Sequence, residues 1–393
     1  MTWARRAAIA AVVLCGGMVV GACDEPQRDD HDSTTDGPSV ASTGAAPADA
    51  PAAPTLLVWT SGGLPPGFSE QVAAIPGVEN LAVVNGDLVD LVATFDEAGQ
   101  SVDVPPAGMR IPLDALAVDP SSYTAFVDES TRPAVSALGA GEALLGTTAA
   151  RLRRLGAGGV LELANGARFT VAGVVDDAAV GAAELVVGVA DGPAAGITTP
   201  RFLLMTYTGD RAATEQAIAT LAPGTPVRFR APDEARFLRH ADLVLPQALV
   251  KERFGEFAYA PGSDRFVAVD PAYEEMHVVT ASVPILGAIT CHRDVIPALE
   301  GALRELDERG LASLIDRAGY QGCFVPSVIP GSGGLSRHSW GIAIDVNFLP
   351  NPTGLPSHAD LQLIEVMERW GFVGGSRFLE IDPGHFEYVR PPA

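Results

Sequence analysis

The sequence predicts an α+β fold in two parts: a strand-rich α+β domain, then a C-terminal domain with a small antiparallel sheet and flanking helices. Three observations lead there. The 393 residues are too many for one domain of ordinary size. Apolar runs of strand length alternate with short helical stretches stopped by Pro-Gly or Gly. Late in the chain, Gly341 to Asn347 alternates strictly: Ile342, Ile344 and Val346 fall on one side, Ala343, Asp345 and Asn347 on the other. A strand with one apolar face has that pattern.

Hydrophobic residues make up 47% of the chain, enough for a sizeable core, and the formal net charge is −22. That balance argues against nucleic acid, because a phosphate-binding surface must be basic. It is also the wrong sign for holding anionic lipid by charge alone.

The chain starts with Arg5 and Arg6, then an apolar stretch at 7–20 that is short for a membrane span. Val20-Gly21-Ala22-Cys23 follows, and small residues before a cysteine resemble a bacterial lipobox. Residues 1–22 are therefore expected to be a lipoprotein signal peptide, with Cys23 the lipidation site. An ordinary signal peptide or an uncut anchor is the alternative. Either way the protein is expected to be exported to the cell envelope, and the lipid would anchor it to a bacterial membrane. Residues 23–54 are rich in Asp, Ser, Thr, Ala and Pro, cannot bury enough to order themselves, and are expected to be a disordered linker.

Residues 55–240 are expected to form the α+β accessory domain. Leu56-Leu57-Val58-Trp59 opens it as a strand, a helix at 69–75 stops at Pro76-Gly77, and 81–84 reads as the next strand. Strands at 160–163 and 168–175 flank Asn165-Gly166, the dipeptide that type I′ hairpins prefer. A strand at 202–207, a helix at 212–221 stopped by Pro223-Gly224 and a strand at 227–229 complete it. Ser69-Glu70-Gln71-Val72-Ala73 and Thr214-Glu215-Gln216-Ala217-Ile218 echo each other, each a helix that leads into a strand. That points to a duplicated α+β unit or a sandwich of two halves. The region loosely resembles extracytoplasmic α+β domains of transporter permeases. It holds no ligand-spaced group of His, Cys or carboxylates, so it reads as an interaction or spacer domain that could dock to an envelope protein.

Residues 241–393 form the last region. A helical stripe runs through Val295, Leu299, Ala302, Leu303 and Leu306, with Asp294 as its start, Pro297 in its first turn and Gly310 as its stop. Ser357-His358-Ala359-Asp360 has the form of a capping box before a helix through Leu361, Ile364, Met367 and Trp370. Of four cysteines, Cys15 lies in the apolar leader and Cys23 would carry lipid. Cys291 and Cys323 remain, an even pair that an oxidising compartment favours as a disulfide, two free buried thiols being the alternative. If bridged, the loop of about 32 residues contributes about 3–4 kcal/mol in the chain-entropy model.

Chemistry concentrates between and after these helices. The strand at 341–347 would put Asp345 on its polar face, and His338 precedes it by a turn. His385 comes from a second strand, at 386–389, if the two pair in one sheet. Two imidazoles and one carboxylate suit zinc with an open position for water. Asp382, three residues before His385 across a Pro-Gly turn, could take a proton from that water. Glu387, on the strand face of His385, could accept from its ring. Trp340 reads as packing, and His31, His240, His277, His292 and His358 as surface or satisfied core residues.

Ser336-x-His338-x-x-Gly341-x-Ala343-x-Asp345 followed by Asp382-x-x-His385 resembles the zinc D-alanyl-D-alanine carboxypeptidase and L-alanyl-D-glutamate peptidase family, of the VanY and phage-endolysin type. The resemblance covers about the last 140 residues, including Cys291 and Gly322-Cys323-Phe324. It implies a zinc peptidase domain acting on peptidoglycan peptides, with Zn2+ on His338, Asp345 and His385, Asp382 as catalytic base and Ser336 shaping the site. Relatives carry an arginine just after the Cys-Phe-x-Pro stretch; this chain has Ser327. A serine supplies no charged fork, so Arg293 or Arg337 would have to serve. The competing readings are a catalytically inactive zinc-containing lipoprotein that binds cell wall or a partner, and a transporter-associated lipoprotein.

Overall fold

The computed structural model describes residues 54–231, 234, 245–329 and 334–390. The expected signal peptide, Cys23, nearly all of the expected linker, His31 and His240 lie outside these residues. The described chain is mixed α/β, with one large strand-rich part and several small antiparallel sheets.

The first sheet has ten strands. They are β1 (Thr55–Thr60), β2 (Val78–Phe95), β3 (Ser101–Asp103), β4 (Ile111–Val118), β5 (Glu142–Gly146), β6 (Val160–Leu163), β7 (Arg168–Val175), β8 (Leu185–Gly188), β9 (Pro200–Tyr207) and β10 (Val227–Arg230). Their order is β10-β1-β9-β2-β4-β8-β5-β7-β6, with β3 beside β2 and β6 paired to β2 as well.

The two echoing helices account for one end of this sheet. β1, helix Phe68–Ala73 and β2 make one strand–helix–strand unit; β9, helix Arg211–Thr220 and β10 make a second. β1 and β9 lie side by side and antiparallel, β2 flanks β9, and β10 flanks β1. That is a split βαβ pair. Leu56, Val58, Phe68, Val72, Leu203, Met205 and Ile218 form the cluster between its helices and strands.

The other end closes on itself. β2 runs for 18 residues, far beyond the expected 81–84. Its first part pairs with β9 and β4, and its last part, Leu91 to Phe95, with β6. A register shift between Leu91 and Ala93 turns it from one neighbour to the other. The ring β2-β4-β8-β5-β7-β6 thus has no free edge among its members. Leu91, Leu113, Leu145, Leu161, Phe169 and Val187 are buried within it. The β6–β7 hairpin forms as expected, but its turn differs. Leu163 N–H donates to Ala167 O at 2.8 Å and Gly166 N–H to Leu163 O at 2.9 Å, and Gly166 has φ +85°. This three-residue loop ends in a left-handed glycine, so it is not a two-residue type I′ turn.

The C-terminal part has two hairpins, β11 (Tyr259–Pro261) with β12 (Val267–Val269) and β13 (Val278–Val283) with β14 (Gly287–His292). A small sheet follows, β15 (Ala343–Asp345), β17 (Asp382–Tyr388) and β16 (Phe372–Gly375), in the order β15-β17-β16. Helices Ile296–Glu308 and Leu361–Arg369 bury Leu299, Leu303, Leu306, Leu363, Val366 and Met367 in one cluster with Trp340, Ile342, Ile344 and Phe386. The first helix starts at Ile296 with no side-chain cap, so Asp294 does not start it. The second is capped by Asp360 itself, whose carboxylate accepts from Gln362 N–H, so there is no capping box. Ser357 instead accepts from Ala359 N–H, ahead of the helix. Among the described residues, no helix is long and apolar enough to cross a membrane.

A buried polar seam joins the two parts. Lys251, on helix Gln247–Phe254, reaches the Pro112 carbonyl on β4, and lies 2.6 Å from Glu184 and 3.0 Å from Glu256. Gln247 donates to Glu184 at 2.7 Å.

Candidate metal centre

Antiparallel pairing of β15 with β17 puts Asp345 directly opposite His385 and Ala343 opposite Glu387. Opposed residues send side chains to the same face. His385 Nδ1 therefore lies 2.8 Å from Asp345 Oδ1. His338 arrives from a different element, the 3₁₀ turn Arg337–Trp340, capped by Ser336, whose Oγ accepts from His338 N–H at 3.3 Å. Gly341 ends that turn at φ +67°, and a Cβ there would meet His292 N at 2.7 Å, so the chain can turn into β15 only at glycine.

The ring nitrogens are sorted by their partners. His338 Nδ1 lies 3.0 Å from the Cys323 carbonyl, which can only accept, so the lone pair is on Nε2. That Nε2 is buried, has no hydrogen-bond partner among the described residues and lies 3.2 Å from Asp345 Oδ1. His385 Nε2 faces Glu387 at 3.4 Å, which leaves Nδ1 toward Asp345. One ligand atom from each of His338, Asp345 and His385 lies within 4.8 Å of the others. An orphaned imidazole nitrogen aimed at a carboxylate and a second imidazole is a donor set that fits a divalent metal.

Charge in this cluster is tightly held. Burial works to raise the Asp345 carboxyl, but the neighbouring His338 and His385 imidazoles overcome it and hold it well below the usual range. Burial works to lower His385, yet its bonds to Asp345 and Glu387 outweigh that and push it up to about 10. The pocket between the two carboxylates thus favours a bound positive charge.

Asp382 stands beside this group without joining it. It opens β17 and pairs with Gly375, so Pro383-Gly384 continues the strand and is not the expected turn. Burial pushes its carboxyl above the ordinary value, the charge of His385 opposes that, and a Thr353 bond lowers it.

A cavity of about 560 Å³ opens over these groups, lined by His338, Asp345, Asp382, His385 and Glu387, and also by Trp59, Leu88 and Arg201 of the first sheet. Arg337 lines it as a buried side chain that donates to Leu245 O at 2.6 Å, its charge facing Glu387. Arg293 is a correction: it is exposed, its N–H bonds to His277 O, and it does not line the cavity. Ser327 lines the cavity, and its backbone is held by the Ser339 hydroxyl at 3.0 and 3.1 Å. Arg265, on the loop between β11 and β12, lines it too. Sequence reasoning missed Arg201, Arg265, Trp59 and Leu88, which sit in segments without any motif. Trp340 is fully buried and donates to Gly255 O at 3.1 Å, a packing role.

Cys291 and Cys323 form a disulfide. Since Cys323 also carries the carbonyl that orients His338, the bridge anchors the ring that faces Asp345. Replacing both cysteines with alanine is expected to remove about 3–4 kcal/mol in urea unfolding. A weakened metal affinity should accompany it, and unchanged affinity would separate the bridge from the site.

Residues 330–388 match the family model described as D-alanyl-D-alanine carboxypeptidase. No curated protein matches the chain. Among solved structures, the periplasmic region of MacB from Actinobacillus actinomycetemcomitans is 10% identical, with a TM-score of 0.31, covering 46% of this chain and 90% of that one. The extracellular domain of the noncanonic ABC-type transporter YknZ from Gram-positive bacteria is 11% identical, with a TM-score of 0.30, covering 45% and 98%. The stretch that supplies His338, Asp345, Asp382, His385 and Glu387 is therefore the stretch similar to a D-alanyl-D-alanine carboxypeptidase.

Proposed function

We propose that this protein is a zinc-dependent peptidase that cuts an amide bond in the stem peptides of bacterial peptidoglycan, with residues 241–393 as a catalytic domain of the VanY and phage-endolysin type. What carries the reading is the convergence of His338 Nε2, His385 Nδ1 and Asp345 Oδ1 beside Asp382, within the stretch similar to a carboxypeptidase. His338, Asp345 and His385 would hold the zinc. When bound, zinc polarises a carbonyl and acidifies water. Asp382 takes the proton of the attacking water and returns it to the leaving amine. Glu387 keeps the His385 ring in one tautomer. Arg337 supplies positive charge to the cavity where Ser327 has none. Export, with lipid at Cys23 and residues 55–240 as an accessory domain, belongs to the same proposal.

The test is zinc by elemental analysis of the purified chain, then peptide release from cell walls. About one zinc per chain and release of stem peptides are expected; no zinc, or no release by the zinc-loaded protein, overturns the reading. Ser327 motivates a second reading, an inactive zinc-containing lipoprotein that binds cell wall or a partner. Wall binding without hydrolysis, together with activity gained by Ser327→Arg, would favour it.

A further inference from the structure

The segment 376–381 joins β16 to β17 and leads directly into Asp382. Three contacts tie it to the first sheet. Arg228, on β10, donates from Nη2 to the carbonyl oxygens of Arg377 and Phe378, each at 3.3 Å. Ser61, just past β1, donates to Glu380 at 3.5 Å. Leu379 packs against the cluster that holds Leu57, Trp59 and Leu204. Between these ties, the Phe378 ring lies 5.9 Å from the His385 ring. The first sheet thus holds the segment that covers one histidine of the cluster and delivers Asp382.

The same sheet supplies cavity surface. Trp59, Ser61, Leu88 and Arg201 line the space that His338, Asp345 and His385 line. About 560 Å³ falls within the ~300–1,000 Å³ of sites that enclose a whole small ligand. Leu88 is also packed against the C-terminal core, so this wall is fixed to the catalytic part.

We propose that the first sheet is a working part of the site: it forms one wall of the substrate groove and positions the 376–381 segment, so that the ligand is an extended stem peptide whose far end lies on the sheet. This rests on the peptidase reading above. Arg228 acts here as a positioning residue, and Ser61 borders the groove.

The experiment uses the full chain and three variants, Ser61→Trp, Arg228→Ala and Arg228→Lys. Ser61 and Arg228 are both exposed, so folding should survive the changes. The probes are a fluorescein-labelled pentapeptide muropeptide and an acetylated dipeptide with the same scissile bond. Ser61→Trp is expected to raise KM for the muropeptide about tenfold more than for the dipeptide. Arg228→Ala is expected to lower kcat about tenfold on both, with KM, zinc content and Tm unchanged, and Arg228→Lys to recover part of it. Wild-type constants in all three variants overturn the proposal. Binding to the chelator-treated protein, read by fluorescence anisotropy, separates the wall from the chemistry. Muropeptide binding that Ser61→Trp weakens about tenfold supports the wall even where no bond is cut; absent or equal binding overturns it.

Discussion

On the proposed peptidase reading, Asp382→Asn is expected to lower kcat by about 10²–10⁴-fold, the range for loss of a positioned proton-transfer group, with zinc binding retained. The amide has nearly the shape of the carboxylate but cannot take a proton at neutral pH. Asp382 lies outside the His338, Asp345 and His385 cluster, so the metal donor set is untouched. Its neighbours at the start of β17 are held by pairing with β16, and that pairing is backbone. The measurement is turnover of a muropeptide alongside elemental analysis on the same sample. Zinc retained and turnover lost is the expected pair. Undiminished cleavage would remove Asp382 from the mechanism, and loss of zinc would make it a ligand instead.

The second large effect is on stability. Glu184→Ala is expected to destabilise the protein by up to about 3–5 kcal/mol, because it leaves the buried Lys251 charge with Glu256 as its remaining named carboxylate. Lys251 is completely buried, and its named partners are Glu184, Glu256 and the Pro112 carbonyl. Replacing both charges, as in Glu184→Leu with Lys251→Met, should return much of the loss, since an apolar pair of similar volume needs no compensation. Urea unfolding of the single and double variants decides it; a double variant no better than the single would reject the stranded-charge account. The pH dependence has a definite sign. Burial lowers Lys251 from 10.5 to about 8, against the pull of Glu184. Between those values the unfolded chain holds a proton that the folded chain has released, so unfolding free energy rises with pH. The penalty is fully present below about pH 8. The wild type should therefore gain on Lys251→Met as pH climbs from 8 toward 10.

The candidate site was legible because its residues are chemically marked and close in sequence to strands with a plain period. Asp345 sits on the polar side of an alternating strand, and His385 was expected from a second strand only if the two paired in one sheet, as β15 and β17 do. Ser336 caps the turn that holds His338, and Gly341, read in the sequence as the start of a strand, ends it. What was misread was local geometry decided from outside. Pro383-Gly384 looks like a turn, yet it stays within β17: the register with β16 slips between Gly374 and Gly375, and Gly384 O accepts from Val346 N–H at 2.9 Å. β2 also runs on past the expected 81–84, because β4 pairs with it through Asn85, Gly86 and Asp87. Asp294 was passed over as a cap because Val295 already lies in the helical region and Pro297 fits the first turn.

By itself, the sequence marked His338, Asp345 and His385 as a group, Asp382 as a candidate base, the echoing helices and the cysteine pair, because each depends on residue type and short spacing. The tertiary structure alone decided which cations face the cavity, excluding Arg293 and bringing in Arg265, Arg201 and the buried Arg337. It also decided that β1, β2 and β9 of the first sheet border the same cavity as His338, Asp345 and His385. Those juxtapositions join residues far apart in the chain, Trp59 and Leu88 lying more than two hundred positions before His338. They follow from the packing of the Lys251 seam and the Leu379 contact, and no local period in the chain encodes such packing.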